Sequence, residues 1–183
     1  MCFLFDFTPI LPVLKAAVIK KSKELNTLDG IPYVLKTPIR VKVQRYAHHP
    51  TEIKATIEAA CHMQFNNMWC LFQPHTYTRT IALFDEFAEL FEKVDIIVLV
   101  EIYAVCEKNI FKISSESLVD EIKKDYPRKE VYFYPDFDEM AQFVYDNAEP
   151  GDLIITMGAG DINKVGEKIL EIDREAFKGE YLK

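Results

Sequence analysis

The 183-residue sequence lacks an apolar run long enough to cross a bilayer and lacks an excess of basic residues. A membrane-spanning helix needs about 20 consecutive apolar residues, whereas the strongest apolar run is only Val94 to Val100. Lysine and arginine total 22 against 29 acidic residues, and this net charge of −7 argues against nucleic-acid binding, which needs clustered cations. The apolar opening, Met1 to Leu14, carries Asp6 and two prolines and fits a cleaved signal peptide poorly. We therefore expect a cytoplasmic protein with neither a membrane nor a nucleic acid as partner.

The sequence also lacks the cysteine spacings that are typical of metal sites and disulfide frameworks. Its four cysteines show no C-x-x-C spacing, and no carboxylate accompanies the histidines at the spacing of metal ligands. Neither a metal site nor a disulfide framework is predicted. Buried, reduced thiols are expected at Cys2, Cys61, Cys70 and Cys106.

Strand-like and helix-like segments alternate five times from residue 40 onward. The β-branched run Ile96 to Val100 is typical of a strand covered on both faces, whereas Ile53, Ile57 and Ala60 recur at helical spacing. This alternation predicts a three-layer α/β fold, in which a mostly parallel, Rossmann-like sheet has helices on both faces. The predicted strands are 40–46, 68–73, 95–103, 130–134 and 153–157, and the predicted helices are 50–64, 79–93, 114–124, 136–147 and 161–172.

Residues 1–39 do not follow this alternation. We predict that they form an N-terminal appendage of uncertain structure and that residues 40–183 form one α/β domain. Within the appendage, Lys15 to Leu25 has the composition of a short basic helix, and Asp29-Gly30 with Pro32 favours a turn.

Three of the predicted strand-to-helix loops carry polar residues. Ligands of parallel sheets bind beyond the carboxyl ends of the strands, so these loops should open on one edge. His48 and His49 would converge there with His75 and Arg79, giving hydrogen-bond donors and a fixed positive charge for a carboxylate or phosphate oxygen. An equally compatible alternative is that His48 and His75 cap helices or bind loop carbonyl groups.

The third loop contains Gly158-Ala159-Gly160. Because the third glycine of the dinucleotide-binding motif is missing, this segment favours a tight turn over a nucleotide site. The phosphate-binding motif G-x-x-x-x-G-K-[ST] is absent from the 183 residues, so they offer no nucleoside-triphosphate site of their own. Glu101, at the end of the third predicted strand, either faces the same edge or, as we expect, is a solvent-exposed residue of the loop.

Six segments occur in a distinctive order. They are Y-A-H-H-P-T-E-I-K-A-T at 46–56, F-Q-P-H-T-Y-T-R-T at 72–80, L-F-D-E-F-A at 83–88, E-I-Y at 101–103, I-S-S-E at 113–116 and G-D-L-I-I-T-M-G-A-G-D-I at 151–162. Together they resemble the C-terminal domain of the UDP-N-acetylmuramate:L-alanine ligases, a family of peptidoglycan Mur ligases. The resemblance implies bacterial, ATP- and magnesium-dependent amide synthesis, in which an acyl phosphate of the muramate is attacked by the amine of L-alanine.

The resemblance also implies a role for this part of the ligase, which closes over ATP and brings the amino acid. Carried over by position, Tyr46, His48, His75 and Arg79 would line the L-alanine pocket, with Arg79 as the partner of the alanine carboxylate. It implies no catalytic residue and no metal ligand within the chain, and it leaves the nucleotide-binding residues unknown.

The sequence departs from the family pattern at the same place. The family's D-D-Y-G-H-H-P is altered at Gln44, Arg45 and Ala47, which removes two acids, one of them expected to help hold the nucleotide. Thr76 replaces an arginine expected beside the amino-acid carboxylate. Losing such a charged hydrogen bond removes about 1.5–3 kcal/mol of binding free energy.

Three interpretations follow. The leading one is a detached C-terminal domain that binds no cofactor and performs no ligation alone, because phosphoryl transfer needs the electrostatics of a phosphate loop. The second is a non-catalytic module that binds a small carboxylate or a protein partner. The third is one subunit of a split ligase, in which the sugar-binding and phosphate-loop domains act in trans.

Overall fold

The computed structural model describes residues 27–28, 31–32, 40–43 and 49–181 of the chain, with side chains over residues 49–176. Two predicted site residues, Tyr46 and His48, lie outside the described residues. So do Cys2, the predicted helix at Lys15 to Leu25, and the altered family positions Gln44, Arg45 and Ala47.

A parallel sheet of five strands forms the centre of the fold. It is preceded by two short antiparallel strands, β1 (Thr27–Leu28) and β2 (Ile31–Pro32), which pair on either side of Asp29-Gly30. The sheet strands are β3 (Arg40–Val43), β4 (Met68–Gln73), β5 (Ile96–Val100), β6 (Glu130–Tyr134) and β7 (Leu153–Gly158). Their order is β3-β7-β4-β5-β6, and every neighbouring pair is parallel. The predicted α/β fold class is confirmed.

Helices cover both faces of this sheet. Those in the described residues are α1 (Pro50–Ala60), α2 (Tyr77–Ala82), α3 (Phe84–Glu89), α4 (Ser115–Asp125), α5 (Phe137–Asn147) and α6 (Asn163–Tyr181). Alternate side chains of β4 enter two separate cores, since Cys70 and Phe72 pack with α1, α3 and α4 whereas Trp69 and Leu71 pack with α5 and α6. The three layers follow from this alternation.

Three predicted helices have wrong bounds, and the first of them, predicted at 50–64, ends at Ala60. The single helix predicted at 79–93 is divided into α2 and α3 by Leu83, whose backbone (φ −120°, ψ 22°) is not helical. The last helix does not end at Ile172 but continues to Tyr181. A charged residue, Asp173, follows Val165 and Ile169 on the buried face and is itself only 1% exposed, so the hydrophobic pattern ends before the helix does.

The expectation of buried thiols holds at one described position. Cys70 is fully buried in β4, and burial raises the pKa of its thiol. Cys61 and Cys106 are exposed, so the expectation was wrong for both. Cys61 ends α1 one residue past the last buried side chain, and Cys106 lies in the loop between β5 and α4.

A buried carboxylate joins the amino ends of β4 and β7. Asp152 is 1% exposed, and its oxygens accept hydrogen bonds from the backbone and side-chain nitrogens of Asn67 (both 3.0 Å), Trp69 Nε1 (2.8 Å) and the Glu149 backbone N–H (3.1 Å). The hydrogen bond from Trp69 Nε1 is buried and the other three are partly buried, so the carboxylate stabilises this end of the sheet.

Candidate functional site at the carboxyl edge of the sheet

The carboxyl ends of β4, β5 and β7 meet at one edge. Gln73 pairs with Gly158 across β4 and β7, and the Ala159 N–H donates to the Gln73 carbonyl oxygen at 3.1 Å. Beyond the regular strands, His75 pairs with Tyr103 in an isolated parallel bridge. The second and last of the three predicted loops therefore open on the same edge, as expected.

The turn after β7 passes unusually close to the end of β4. A Cβ atom at Gly158 would lie 2.0 Å from the Gln73 carbonyl oxygen, and its φ of +121° also excludes a side chain. At Gly160 a Cβ atom would meet the Tyr103 ring at 2.7 Å and Gln73 Oε1 at 2.8 Å. The two glycines are thus required by the close approach of three strand ends, in agreement with the predicted tight turn.

Gln73 connects these three strand ends. Its side chain is almost fully buried, and its Nε2 donates to the Glu101 carbonyl oxygen at 3.1 Å. The Oε1 atom is buried without a hydrogen-bond partner among the described residues. A buried polar atom without a partner is uncommon in a folded domain. The hydrogen-bonding groups at this edge are therefore not all paired.

One aromatic side chain packs against His75. Its imidazole stacks on Tyr103, with ring centroids 6.2 Å apart and an interplanar angle of 26°. The backbone fixes this arrangement, because the Tyr103 N–H donates to the Pro74 carbonyl (2.9 Å) and the Thr76 N–H donates to the Tyr103 carbonyl (3.0 Å). The Tyr103 ring is 43% exposed and therefore forms part of the accessible surface of the site.

Arg79 lies in the first turn of α2, four residues after His75. The Thr76 hydroxyl caps this helix by accepting from the Arg79 N–H at 3.4 Å, and the Thr76 carbonyl accepts from both the N–H and the hydroxyl of Thr80. Thr76 has φ 54° and ψ 149°, a conformation that is strained for a β-branched residue. Arg79 Nη1 is buried and has no hydrogen-bond partner in the described part of the chain.

His49 and Glu101, which follow the first and third predicted strands, form hydrogen bonds with nearby residues of the chain. The His49 imidazole begins α1, where its Nδ1 accepts from the Thr51 N–H at 3.3 Å and Glu52 accepts from the His49 N–H. The ring thus caps a helix, and the expected convergence of His49 with the other two loops stays a prediction. The exposed Glu101 accepts from the neighbouring Ile102 N–H at 3.0 Å.

Glu107 contacts the same helix from the loop after β5. Its carboxylate accepts from the Thr78 N–H (2.9 Å) and from the Thr78 hydroxyl (2.5 Å). These hydrogen bonds, the hydroxyl first and then the backbone N–H, lower the pKa of the Glu107 carboxyl. The sequence analysis missed this residue, because no local spacing connects it with Thr78, 29 positions earlier.

We expect the Glu107 carboxyl to titrate below the ordinary pKa of a glutamate. Since its pKa is lowered in the folded chain, the contact with Thr78 is fully formed above the ordinary value and is lost as the pH falls through the lowered one. NMR titration of the Glu107 side-chain carboxyl carbon and the Thr78 amide checks this, and both signals should share one midpoint. A Glu107 midpoint at or above the ordinary pKa of a glutamate would contradict the contact.

Other surface features do not join this site. One groove of about 610 Å³ is lined by Asp95, Arg128 and Lys129 near the amino ends of the strands, and another of about 730 Å³ lies beside Lys54 and Glu89. Neither is lined by a residue with an unpartnered buried polar atom. Within the described residues, no three His, Cys, Asp or Glu side chains cluster as metal ligands would, and no helix is long and apolar enough to cross a membrane.

Comparison with known proteins identifies the family of the chain. Residues 34–160 match the sequence model of the Mur ligase glutamate ligase domain. The chain belongs to this family. The UDP-N-acetylmuramate–L-alanine ligase of Acetivibrio thermocellus is 46% identical to this Mur ligase domain over 129 residues, which is 70% of this chain and 27% of that protein.

Solved structures support the same fold. The UDP-N-acetylmuramate-alanine ligase of Thermotoga maritima superposes with a TM-score of 0.58 at 23% identity, over 75% of this chain and 27% of that one. A second Mur ligase of Thermotoga maritima, solved in complex with ADP, superposes with a TM-score of 0.51 at 14% identity, over 91% of this chain and 39% of that one. The predicted resemblance is confirmed, and the chain spans about a quarter of the length of the alanine ligases that it matches.

Proposed function

We propose that this Mur ligase domain positions L-alanine in an ATP-dependent ligase that joins it to UDP-N-acetylmuramate. The observation that carries the proposal is Arg79, which follows His75 by four residues and whose buried Nη1 lacks a partner among the described residues. Leaving a charged donor buried and unpaired is unfavourable, and an amino-acid carboxylate would satisfy it. The names of the relatives supply the substrate, since several are L-alanine ligases.

The proposal assigns the phosphoryl chemistry to the rest of such a ligase. The sequence has no phosphate loop, and its described residues have no cluster of metal ligands. ATP, magnesium and the UDP-sugar would then be held largely by other domains, with this domain closing over the nucleotide. We accordingly expect the ligase to work in the bacterial cytoplasm, where ATP and UDP-sugars occur.

Titration calorimetry with L-alanine tests the proposed pocket. We expect Arg79→Ala to weaken binding about 10- to 100-fold, the loss of one charged hydrogen-bonded contact. Arg128→Ala, which removes an exposed cation near the amino ends of the strands, is the control and should have no effect. L-Alaninamide, which has no carboxylate, should bind the unmodified chain weakly and be insensitive to Arg79→Ala. Absence of L-alanine binding at millimolar concentration would overturn the proposed pocket.

Phosphate release tests the leading interpretation, in which the chain alone performs no ligation. The chain would be mixed with UDP-N-acetylmuramate, ATP, magnesium and L-alanine, and we expect no turnover above background. Turnover by the chain alone would contradict this interpretation. Turnover that appears only when a second polypeptide supplies a phosphate loop would instead support a split ligase.

The second candidate, a non-catalytic module for a small carboxylate, is favoured by Thr76. Where the family has an arginine, this chain has a capping threonine. Arg79 is then the one arginine available to a carboxylate where the family pattern has two. Binding of simple carboxylates such as acetate as tightly as L-alanine, with no turnover in the presence of the missing domains, would favour this candidate over the ligase.

A further inference from the structure

The helix that carries Arg79 depends on contacts with residues outside the helix. The helix α2 has only six residues, too few to be stable through its own backbone hydrogen bonds. Its first turn follows the strained Thr76, so the direction in which α2 leaves the strand is not the one that an unconstrained chain prefers. Whatever fixes the first turn also fixes the Arg79 backbone and therefore the point from which its side chain extends.

Glu107 supplies such a contact to the first turn. Both of its carboxylate oxygens are used, one by the Thr78 N–H at 2.9 Å and the other by the Thr78 hydroxyl at 2.5 Å. The first N–H groups of a helix have no partner within the helix, and a negative charge is favourable beside them. The contact therefore holds the residue directly before Arg79.

The loop between β5 and α4 brings Glu107 to Thr78 through a strained turn. The Glu107 N–H donates to the Ala104 carbonyl at 3.0 Å, and Val105, inside this turn, has φ 58°. Positive φ is unfavourable for a β-branched residue and persists where surrounding contacts impose it. Those contacts lie on both sides, because Tyr103 is bound to Pro74 and Thr76 before the turn and Glu107 is bound to Thr78 after it.

We propose that Glu107 is a positioning residue for Arg79, which ties the first turn of α2 to the loop between β5 and α4. Among the described residues, Arg79 forms no ion pair, and its Nη1 has no hydrogen-bond partner. The backbone of the turn thus fixes where the Arg79 side chain starts, and no ion-pair partner in the described part of the chain fixes its guanidinium. The proposal deepens the proposed function, because it concerns the residue that would bind the L-alanine carboxylate, but its structural part can be tested without a ligand.

NMR spectroscopy of the ligand-free chain tests the structural part. In Glu107→Ala, the Thr78 amide should exchange with solvent at least about tenfold faster. The Arg79 Nε–H signal should move towards that of the exposed Arg128. Glu58→Ala, which removes an exposed glutamate of α1, is the matched control and should change neither signal. An unchanged Thr78 amide and an unchanged Arg79 signal in Glu107→Ala would overturn the proposal.

Calorimetry with L-alanine tests the functional part. Glu107→Ala should raise the dissociation constant about tenfold, the value of one charge-assisted contact. Glu107→Gln should restore part of the affinity, because its amide oxygen still accepts one hydrogen bond from Thr78. Unchanged affinity in Glu107→Ala would overturn the positioning role. If the unmodified chain does not bind L-alanine, the proposed function fails, whereas the NMR signals of Thr78 and Arg79 still decide whether Glu107 holds the turn.

Discussion

Replacing Asp152 by alanine is expected to lower the free energy of unfolding by about 3–5 kcal/mol. The carboxylate is 1% exposed and accepts four hydrogen bonds, two from Asn67, one from Trp69 Nε1 and one from the Glu149 backbone. Alanine would leave the buried Trp69 Nε1 without a partner and would remove the acceptor of the three partly buried donors, and each unsatisfied buried donor is destabilising by about 1–3 kcal/mol. Partial entry of water keeps the total below the sum of these values.

Denaturant unfolding followed by Trp69 fluorescence measures this effect, since Trp69 is the single tryptophan of the chain. Asp152→Asn should cost about 2–3 kcal/mol, because its amide group keeps one acceptor but places a donor against two other donors. Asp120→Ala, at an exposed position of α4, should change stability by less than about 0.5 kcal/mol. A loss below about 1 kcal/mol in Asp152→Ala would contradict the described network.

The fold could be predicted from the sequence because burial in a parallel sheet has a strong local pattern. All five residues of Ile96–Val100 are buried, as their continuous apolar character predicted. The boundaries that were wrong depend on longer-range packing. Leu83 fits an apolar helical stripe but breaks the helix, and Asp173 resembles a helix end but lies buried on the same face as Val165.

The candidate site was only partly predictable. His75 and Arg79 could be placed at the carboxyl edge because each closely follows a strand whose direction the alternation determines. Glu107 could not, because its contact with Thr78 depends on the unusual backbone of Val105 in a loop without periodicity. Gln73 lay within a family segment, but its link to Glu101 exists only once β4 and β5 are adjacent.

Replacing Gly158 by alanine is expected to destabilise the chain by at least about 3 kcal/mol, because backbone strain alone accounts for about 1–3 kcal/mol and a steric clash is added to it. The added Cβ atom would lie 2.0 Å from the Gln73 carbonyl oxygen and 2.9 Å from the Gln73 nitrogen. Both are backbone atoms of the neighbouring strand, so rotation of a side chain cannot relieve the clash. The ends of β4 and β7 would have to separate, which would break the Ala159-to-Gln73 hydrogen bond.

Gly160→Ala is the matched comparison, because it adds the same methyl group two residues later. There the atoms met are side-chain atoms, the Tyr103 ring and Gln73 Oε1, and the φ of +62° lies in a region that alanine tolerates at a cost of about 1–2 kcal/mol. Denaturant unfolding should therefore rank Gly158→Ala as clearly more destabilising than Gly160→Ala. The opposite ranking would mean that the side chains of Gln73 and Tyr103, rather than the backbone of β4, limit how closely the turn after β7 approaches. In that case these two side chains, and not the strand ends, would determine the width of the proposed L-alanine pocket.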